Sequence, residues 1–365
     1  MMQNKAVLEQ TIRQSLSQVA DPVFNVCLAD ARFLKAIQLN EGQISLQLVM
    51  PYLSEDDYAA LKSVILTQLR GVAPEMHIVV DISAQIKTHK VQASLQPKPK
   101  IKNIIAVASG KGGVGKSTVS INLALGLKAL GAKVALLDAD IYGPSQPRML
   151  GKHQTKAEAR EKKFVPVESH GLQTMSMGYL VDEQTPMIWR GPMVSQALQQ
   201  LLNDTDWDPC DYLILDLPPG TGDIQLTMAQ KVPLSGAVIV TTPQDIALAD
   251  VYKAYKMFEK LEIPVLGVVE NMSMYTCTHC QHTHAIFGEG GGARFANEFG
   301  LALLAQLPLS SVIREKSDAG EKLVDRSLDS AESSMFMTCA ARVSQALATR
   351  ALDYTTPIQN IKIVS

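Results

Sequence analysis

Lys111-Gly112-Gly113-Val114-Gly115-Lys116-Ser117-Thr118 lies between the apolar run Ile104 to Ala108 and the helical-looking run Val119 to Leu130. Residues of these types in this order suit the triphosphate of a nucleotide. Glycines let backbone N–H groups turn inward around phosphate oxygens, and the N-terminus of the following helix adds its dipole at the same point. Lys116 is then placed to reach the β- and γ-phosphates, and the Ser117 hydroxyl to meet Mg2+. The loop lacks the glycine spacing of a dinucleotide site, which argues against a nicotinamide enzyme.

Carboxylates follow at two strand ends. Leu137-Asp138-Ala139-Asp140 closes an apolar run, and two carboxylates beside a Mg2+–phosphate site can order metal-bound water and the attacking water. A plainer role, capping the turn before Gly143-Pro144, stays open for both. Asp216 ends Leu213-Ile214-Leu215 and precedes Leu217-Pro218-Pro219-Gly220-Thr221-Gly222-Asp223. There it can hold Mg2+ through water, while Gly220 and Gly222 sense the γ-phosphate as a switch.

The third group is Cys277-Thr278-His279-Cys280, with His282 and His284 close behind. Two soft thiolates can ligate a transition metal or an iron–sulfur cluster, yet one chain supplies half of the four thiolates usual for a [4Fe-4S] centre. Two chains supply all four. Alternatively, Cys277, Cys280 and two of the histidines make a tetrahedral zinc site in one chain, or the pair is redox-active or unliganded. Cys27, Cys210 and Cys339 are isolated and read as small buried hydrophobes.

The elements that must position these groups fall in two parts. Leu8, Ile12, Leu16 and Val19 repeat at helical spacing, and Ile44, Leu46, Leu48 and Met50 alternate as in a half-buried strand. A helix from about Glu55 to Leu69 and a strand around Met76 to Ile82 complete a small α/β accessory module over residues 1–90. The polar stretch Thr88 to Lys102, with Pro97 and Pro99, reads as a linker (91–102 in our division). Beyond it, over 103–350, short apolar strands alternate with helical stretches: Asn103 to Ala108, Lys133 to Leu137, Tyr212 to Leu215, Ala237 to Thr241 and Val265 to Val269. This predicts an α/β fold with a mainly parallel sheet covered by helices on both faces and ligands beyond the strand carboxyl ends. Residues 351–365 form a tail.

The formal charge of −2 gives no general pull toward nucleic acid, and Lys98, Lys100 and Lys102 read as a solvated stretch. No apolar segment is long enough to span a bilayer, and the N-terminus lacks the apolar core of a secretory signal. The expectation is a cytoplasmic protein with no stable membrane or nucleic-acid partner.

The segment Gly110 to Thr118, with its early Lys111, resembles the deviant phosphate loop of the MinD, ParA and nitrogenase-iron-protein superclass. Asp138-Ala139-Asp140-Ile141-Tyr142-Gly143-Pro144-Ser145, Trp189-Arg190-Gly191-Pro192-Met193, Asp216 to Asp223, Thr241-Thr242-Pro243-Gln244 and Asn271-Met272-Ser273 before the cysteine pair narrow the resemblance to the Mrp/ApbC-like iron–sulfur cluster carriers. It covers about residues 100 to 350. The resemblance implies a P-loop ATPase that binds ATP and Mg2+ and carries a labile cluster, a [4Fe-4S] centre shared by a homodimer through Cys277 and Cys280. It implies apo-protein recipients and a cluster-assembly donor as partners. Gly110 to Thr118 would bind the nucleotide. Lys111 would cross a face-to-face dimer to the partner's phosphate, Asp140 would orient the attacking water, and Asp138 and Asp216 would lie nearer Mg2+. Asn271 would bond the adenine edge.

The N-terminal module resembles the small domain often fused ahead of these carriers, with Asp21-Pro22 as its landmark; Val23 stands where that module is commonly acidic. Gln281 stands where close relatives often have glycine, and Gly320-Glu321-Lys322 departs from a proline-containing segment. The alternatives are a MinD- or ParA-like positioning ATPase and a zinc-stabilised regulatory ATPase.

Overall fold

The computed structural model describes residues 2–181 and 191–353. The sequence motif at Trp189-Arg190 and the tail beyond Asp353 lie outside them. The chain divides into two units, Met1–Lys87 and Thr88–Ser365.

The first unit is α1 (Met2–Leu16), β1 (Leu34–Asn40), β2 (Gln43–Met50), α2 (Glu55–Val72) and β3 (His77–Ala84). β2 pairs antiparallel with β1 and parallel with β3. Alternation along β2 buries Ile44, Leu46, Leu48 and Met50, while α2 turns Leu61, Ile65 and Leu69 inward. The start of α2 is set by Ser54, whose hydroxyl accepts from the Asp57 N–H at 3.3 Å, and by the acidic first turn Glu55, Asp56 and Asp57. The landmark Asp21 is fully buried and shapes its own turn, accepting from Val23 N at 3.0 Å, Phe24 N at 2.7 Å and the Tyr52 hydroxyl at 2.5 Å. Cys27 is half-buried rather than a core residue, because it sits at the edge of this turn.

The second unit continues with β4 (Ile101–Ser109), α3 (Lys116–Ala129), β5 (Val134–Asp138), α4 (Gln146–Met149), β6 (Ala159–Arg160), β7 (Lys163–Phe164), β8 (Val167–Ser169), β9 (Leu172–Ser176) and α5 (Gly191–Asp204). Then come β10 (Cys210–Asp216), α6 (Asp223–Lys231), β11 (Gly236–Thr241), α7 (Asp245–Lys260), β12 (Val265–Glu270), β13 (Tyr275–Thr276), β14 (Thr283–His284), α8 (Gly291–Glu298), β15 (Leu303–Gln306), α9 (Ser311–Ala319) and α10 (Ala331–Ala348). The main sheet runs β15-β12-β11-β4-β10-β5-β9-β8, parallel throughout except where β8 meets β9. Strands β5, β10, β11 and β12 are buried along almost their whole length, as parallel strands covered on both faces must be. Register brings Asp216 of β10 beside Asp138 of β5 at the carboxyl end.

The stretch read as a linker is built into this unit. His89 and Gln92 are buried, and the Gln92 amide donates to the carbonyls of Ala229 at 2.7 Å and Val232 at 3.0 Å while accepting from Leu234 N at 2.9 Å. One glutamine thus satisfies backbone groups left open where α6 ends. Lys98, Lys100 and Lys102 do point outward, bonded to Asn203, Asp206 and Asp211 at 2.6–2.7 Å.

Candidate functional site

β4 ends at Ser109, whose hydroxyl donates to the Lys111 carbonyl at 2.8 Å and draws the chain into a turn. Gly113 and Gly115 then take φ of 80° and 83°, the left-handed region open to glycine at little cost. Gly110 is required for a different reason. A Cβ there would lie 2.4 Å from the Asp250 carbonyl carbon, so α7 can approach only a bare backbone. Val114 is buried, anchoring the loop from below. α3 starts at Lys116 without a side-chain cap, leaving its first N–H groups for a ligand.

The Lys116 ammonium is buried and contacts Asp216 Oδ1 at 2.5 Å and the Ser117 hydroxyl at 3.3 Å. Ser120, one helical turn on, donates to the same carboxylate oxygen at 2.8 Å. Gln146 at the start of α4 ties the site together. Its side-chain amide donates to Asp216 Oδ2 at 2.8 Å and to the Ser117 carbonyl at 3.0 Å, and its backbone N–H donates to Asp138 Oδ2 at 3.2 Å. Asp138 also accepts from Ser176 at 3.1 Å and from the Asp140 N–H at 3.1 Å. Burial, then the neighbouring Asp216 charge, raises the Asp138 pKa above the ordinary carboxylate range; burial also raises that of Asp140.

This donor set fits a divalent cation. Two buried carboxylates, Asp138 and Asp216, face the single ammonium of Lys116, and the Ser117 hydroxyl lies within reach of that ammonium. Gln146, Ser120 and Ser176 were not singled out from sequence. Ser120 had a signal, its i+4 spacing from Lys116; Gln146 and Ser176 had none, since their partners lie far along the chain.

Lys111 is half-buried and contacts Gln244 Oε1 at 3.5 Å within its own chain, beside the Thr241-Thr242-Pro243-Gln244 turn. Asn271, expected to bond the adenine edge, lies against the phosphate loop. It is buried, its amide donates to the Val114 carbonyl at 2.9 Å, and its nitrogen would lie 2.2 Å from a Cβ on Gly115. The position just beyond β12 thus ties this residue to the loop that would hold the phosphates.

The cysteines ride on a small antiparallel hairpin in which Tyr275 pairs with His284 and Thr276 with Thr283. Cys277 N–H donates to the His282 carbonyl at 2.9 Å, and Gln281 N–H to the Cys277 carbonyl at 2.9 Å. Gln281 sits at φ 58°, where a side chain costs about 1 kcal/mol and glycine does not. Backbone N–H groups of Cys280 and His279, with the Cys280 thiol, hold the Cys277 thiol below the ordinary cysteine range. Cys280 is exposed and Cys277 half-buried. His282 and His284 stack edge-on at 4.3 Å, and among the described residues no three His, Cys, Asp or Glu side chains gather as a metal set. The single-chain zinc quartet weighed from sequence is therefore not assembled. Cys210 and Cys339 are buried, and burial raises both thiols to about 12.

A model of the family described as "NUBPL iron-transfer P-loop NTPase" matches residues 100–344, and one described as "Iron-sulfur cluster assembly protein" matches residues 9–82. A protein of Haemophilus influenzae named iron-sulfur cluster carrier protein is 46% identical over 341 residues, covering 93% of this chain and 92% of its own. A Pseudomonas fragi protein of the same name is 57% identical over 244 residues, 66% of this chain and 85% of that one. Among solved structures, a nucleotide-binding protein of Archaeoglobus fulgidus in complex with ADP is 38% identical with a TM-score of 0.54, covering 60% of this chain and 87% of its own. With this family model matched over residues 100–344 and the Haemophilus influenzae relative aligned over 93% of the chain, the chain belongs to the NUBPL iron-transfer P-loop NTPase family.

Proposed function

We propose that this protein is an ATP-dependent iron–sulfur cluster carrier, binding and hydrolysing ATP at the Gly110–Thr118 loop and holding a labile [4Fe-4S] cluster between two copies through Cys277 and Cys280. One observation carries this reading. The two thiols stand on an exposed hairpin, that of Cys277 held below the ordinary cysteine range by neighbouring N–H groups, and among the described residues no third ligand joins them. A pair so placed is half of a cluster seat that a second copy completes.

On this reading Lys116 would meet the phosphate oxygens, and Ser117, Asp138 and Asp216 would hold Mg2+, which would supply charge neutralisation at the β- and γ-oxygens. Asp140, half-buried beside these groups, orients the attacking water, and Lys111 supplies a second ammonium across the dimer to offset charge on the transferred phosphoryl group. Asn271, its amide nitrogen on the Val114 carbonyl, offers its remaining amide oxygen to the adenine edge. The recipients are apo iron–sulfur proteins, loaded from a cluster-assembly donor. No helix among the described residues is long and apolar enough to cross a membrane. We place the protein in the cytoplasm, where free thiols persist.

The test is anaerobic reconstitution followed by iron and acid-labile sulfide analysis, Mössbauer spectroscopy and native mass measurement. One [4Fe-4S] cluster per dimer, lost in Cys277→Ala and in Cys280→Ala and transferable to an apo-acceptor, is expected. Stoichiometric zinc in a monomer, with no sulfide, would sink the carrier reading.

A further inference from the structure

Glu270 is a fully buried carboxylate that the nucleotide chemistry does not use. It ends β12, next to Asn271, and the two residues grip opposite things. Asn271 holds the Val114 carbonyl of the phosphate loop at 2.9 Å. Glu270 Oε2 accepts from the Gly292 N–H at 2.6 Å, in the first turn of α8, and Oε1 accepts from the Gln306 amide at 2.8 Å. The fit at α8 is tight enough to exclude a side chain: a Cβ on Gly292 would lie 2.9 Å from Glu270 Cβ, and one on Gly291 would lie 2.2 Å from the Pro243 carbonyl oxygen.

The cysteine hairpin lies between these two grips. Its upstream end leaves Asn271 through Met272 and Ser273, with Ser273 bonded through both N–H and hydroxyl to the Leu307 carbonyl at 2.9 and 3.0 Å. Its downstream end runs into α8, which Glu270 holds by the N-terminus. A displacement of the phosphate loop that moves Asn271 therefore moves the adjacent Glu270, and both supports of the hairpin shift together. A carboxylate accepting two hydrogen bonds in a buried site gives that connection stiffness, since each bond lost strands a buried polar group.

We infer that Glu270 is a positioning residue that couples nucleotide occupancy of the phosphate loop to the exposure of the Cys277–Cys280 pair. The inference rests on the reading of those thiols as the cluster seat, but its test does not require a cluster. Such coupling is a free energy shared by both sites, so it is measurable from either one.

The experiment uses the full-length, metal-free chain and a thiol-modifying disulfide reagent, with labelling at Cys277 and Cys280 followed by mass spectrometry. In the wild type, Mg2+ with a non-hydrolysable ATP analogue is expected to change the labelling rate of the pair at least threefold. In Glu270→Gln, whose amide cannot accept from both Gly292 and Gln306, that change is expected to fall below 1.5-fold while the directly measured analogue affinity stays within threefold. Gly292→Ala, which pushes α8 off the carboxylate, is expected to do the same. Hydrogen exchange on the wild type gives a readout free of substitutions: the Gly292 amide should change protection when the analogue binds. A wild-type labelling rate indifferent to nucleotide, full nucleotide sensitivity in both variants, or an unchanged Gly292 amide would each overturn the coupling. The carrier reading fails separately, by absence of iron and sulfide from reconstituted protein, and the coupling can hold where that reading fails.

Discussion

Lys116 and Asp216 form a buried ion pair, Nζ to Oδ1 at 2.5 Å, where the chain offers one ammonium to two carboxylates. Asp138 is the second carboxylate, in register with Asp216 on the neighbouring strand and bridged to it by Gln146. The pair thus holds Lys116 in place, and loss of the Asp138 proton adds the negative charge that suits a metal ion.

Removing the lysine should therefore cost twice. Lys116→Ala strands Asp216 as a buried charge without its partner, a loss of about 3–5 kcal/mol where no relaxation intervenes. It also removes phosphate neutralisation, lowering ATP turnover by about 100-fold or more. Thermal unfolding of nucleotide-free protein and steady-state phosphate release measure the two losses separately. Wild-type turnover in this variant would remove Lys116 from the site.

Asp138 makes stability depend on pH in a predictable direction. Its folded-state pKa is raised by burial and by Asp216, from an ordinary value of 3.8. Between 3.8 and its raised folded value the native state binds more protons than the unfolded chain. Its contribution to stability is therefore largest below that window and is lost as pH rises through it. Mg2+ binds the deprotonated form, so its affinity should rise over the same interval. Asp138→Asn should flatten both trends, as thermal midpoints and Mg2+ titrations at several pH values would report.

Substitution of Lys111 should separate binding from turnover. Among the described residues its ammonium donates to Gln244 Oε1, at 3.5 Å. Lys111→Ala should leave nucleotide affinity of the monomer within about twofold, while turnover falls at least tenfold and loses its dependence on protein concentration. Equal losses in affinity and turnover would place Lys111 on its own chain's phosphate.

Legibility tracked sequence distance. The phosphate loop reads from its own residues, because a strand, a glycine turn and a helix start are contiguous. The strand-end carboxylates follow from apolar runs that stop at Asp138 and Asp216. Gln146 does not read, since it joins Ser117, Asp138 and Asp216, whose nearness exists only after the sheet forms. Gln92 is the converse: polar, proline-flanked sequence signals exposure, yet its amide fits the backbone groups at the end of α6. Asn271 was read as a base contact; its bond to the Val114 carbonyl, 157 residues back in the chain, has no signal in the sequence around it.

The two left-handed glycines of the loop provide the sharpest contrast. Gly113 and Gly115 share nearly the same φ, 80° and 83°, so an alanine at either pays the same backbone strain of about 1 kcal/mol. Their surroundings differ. A Cβ on Gly113 meets nothing within 4 Å, whereas one on Gly115 would lie 2.2 Å from the Asn271 amide nitrogen. Gly115→Ala must expel Asn271 from its bond to Val114 or move the loop, and Gly113→Ala need do neither. The thermal midpoint should fall by a few degrees in Gly113→Ala and by at least twice that in Gly115→Ala, with ADP affinity following the same order. The double variant Gly115→Ala/Asn271→Ala should recover part of the Gly115→Ala loss in stability, because removing the amide relieves the clash. Equal effects at the two glycines, or no recovery in the double variant, would show that backbone conformation alone, and not the Asn271 contact, sets the requirement at Gly115.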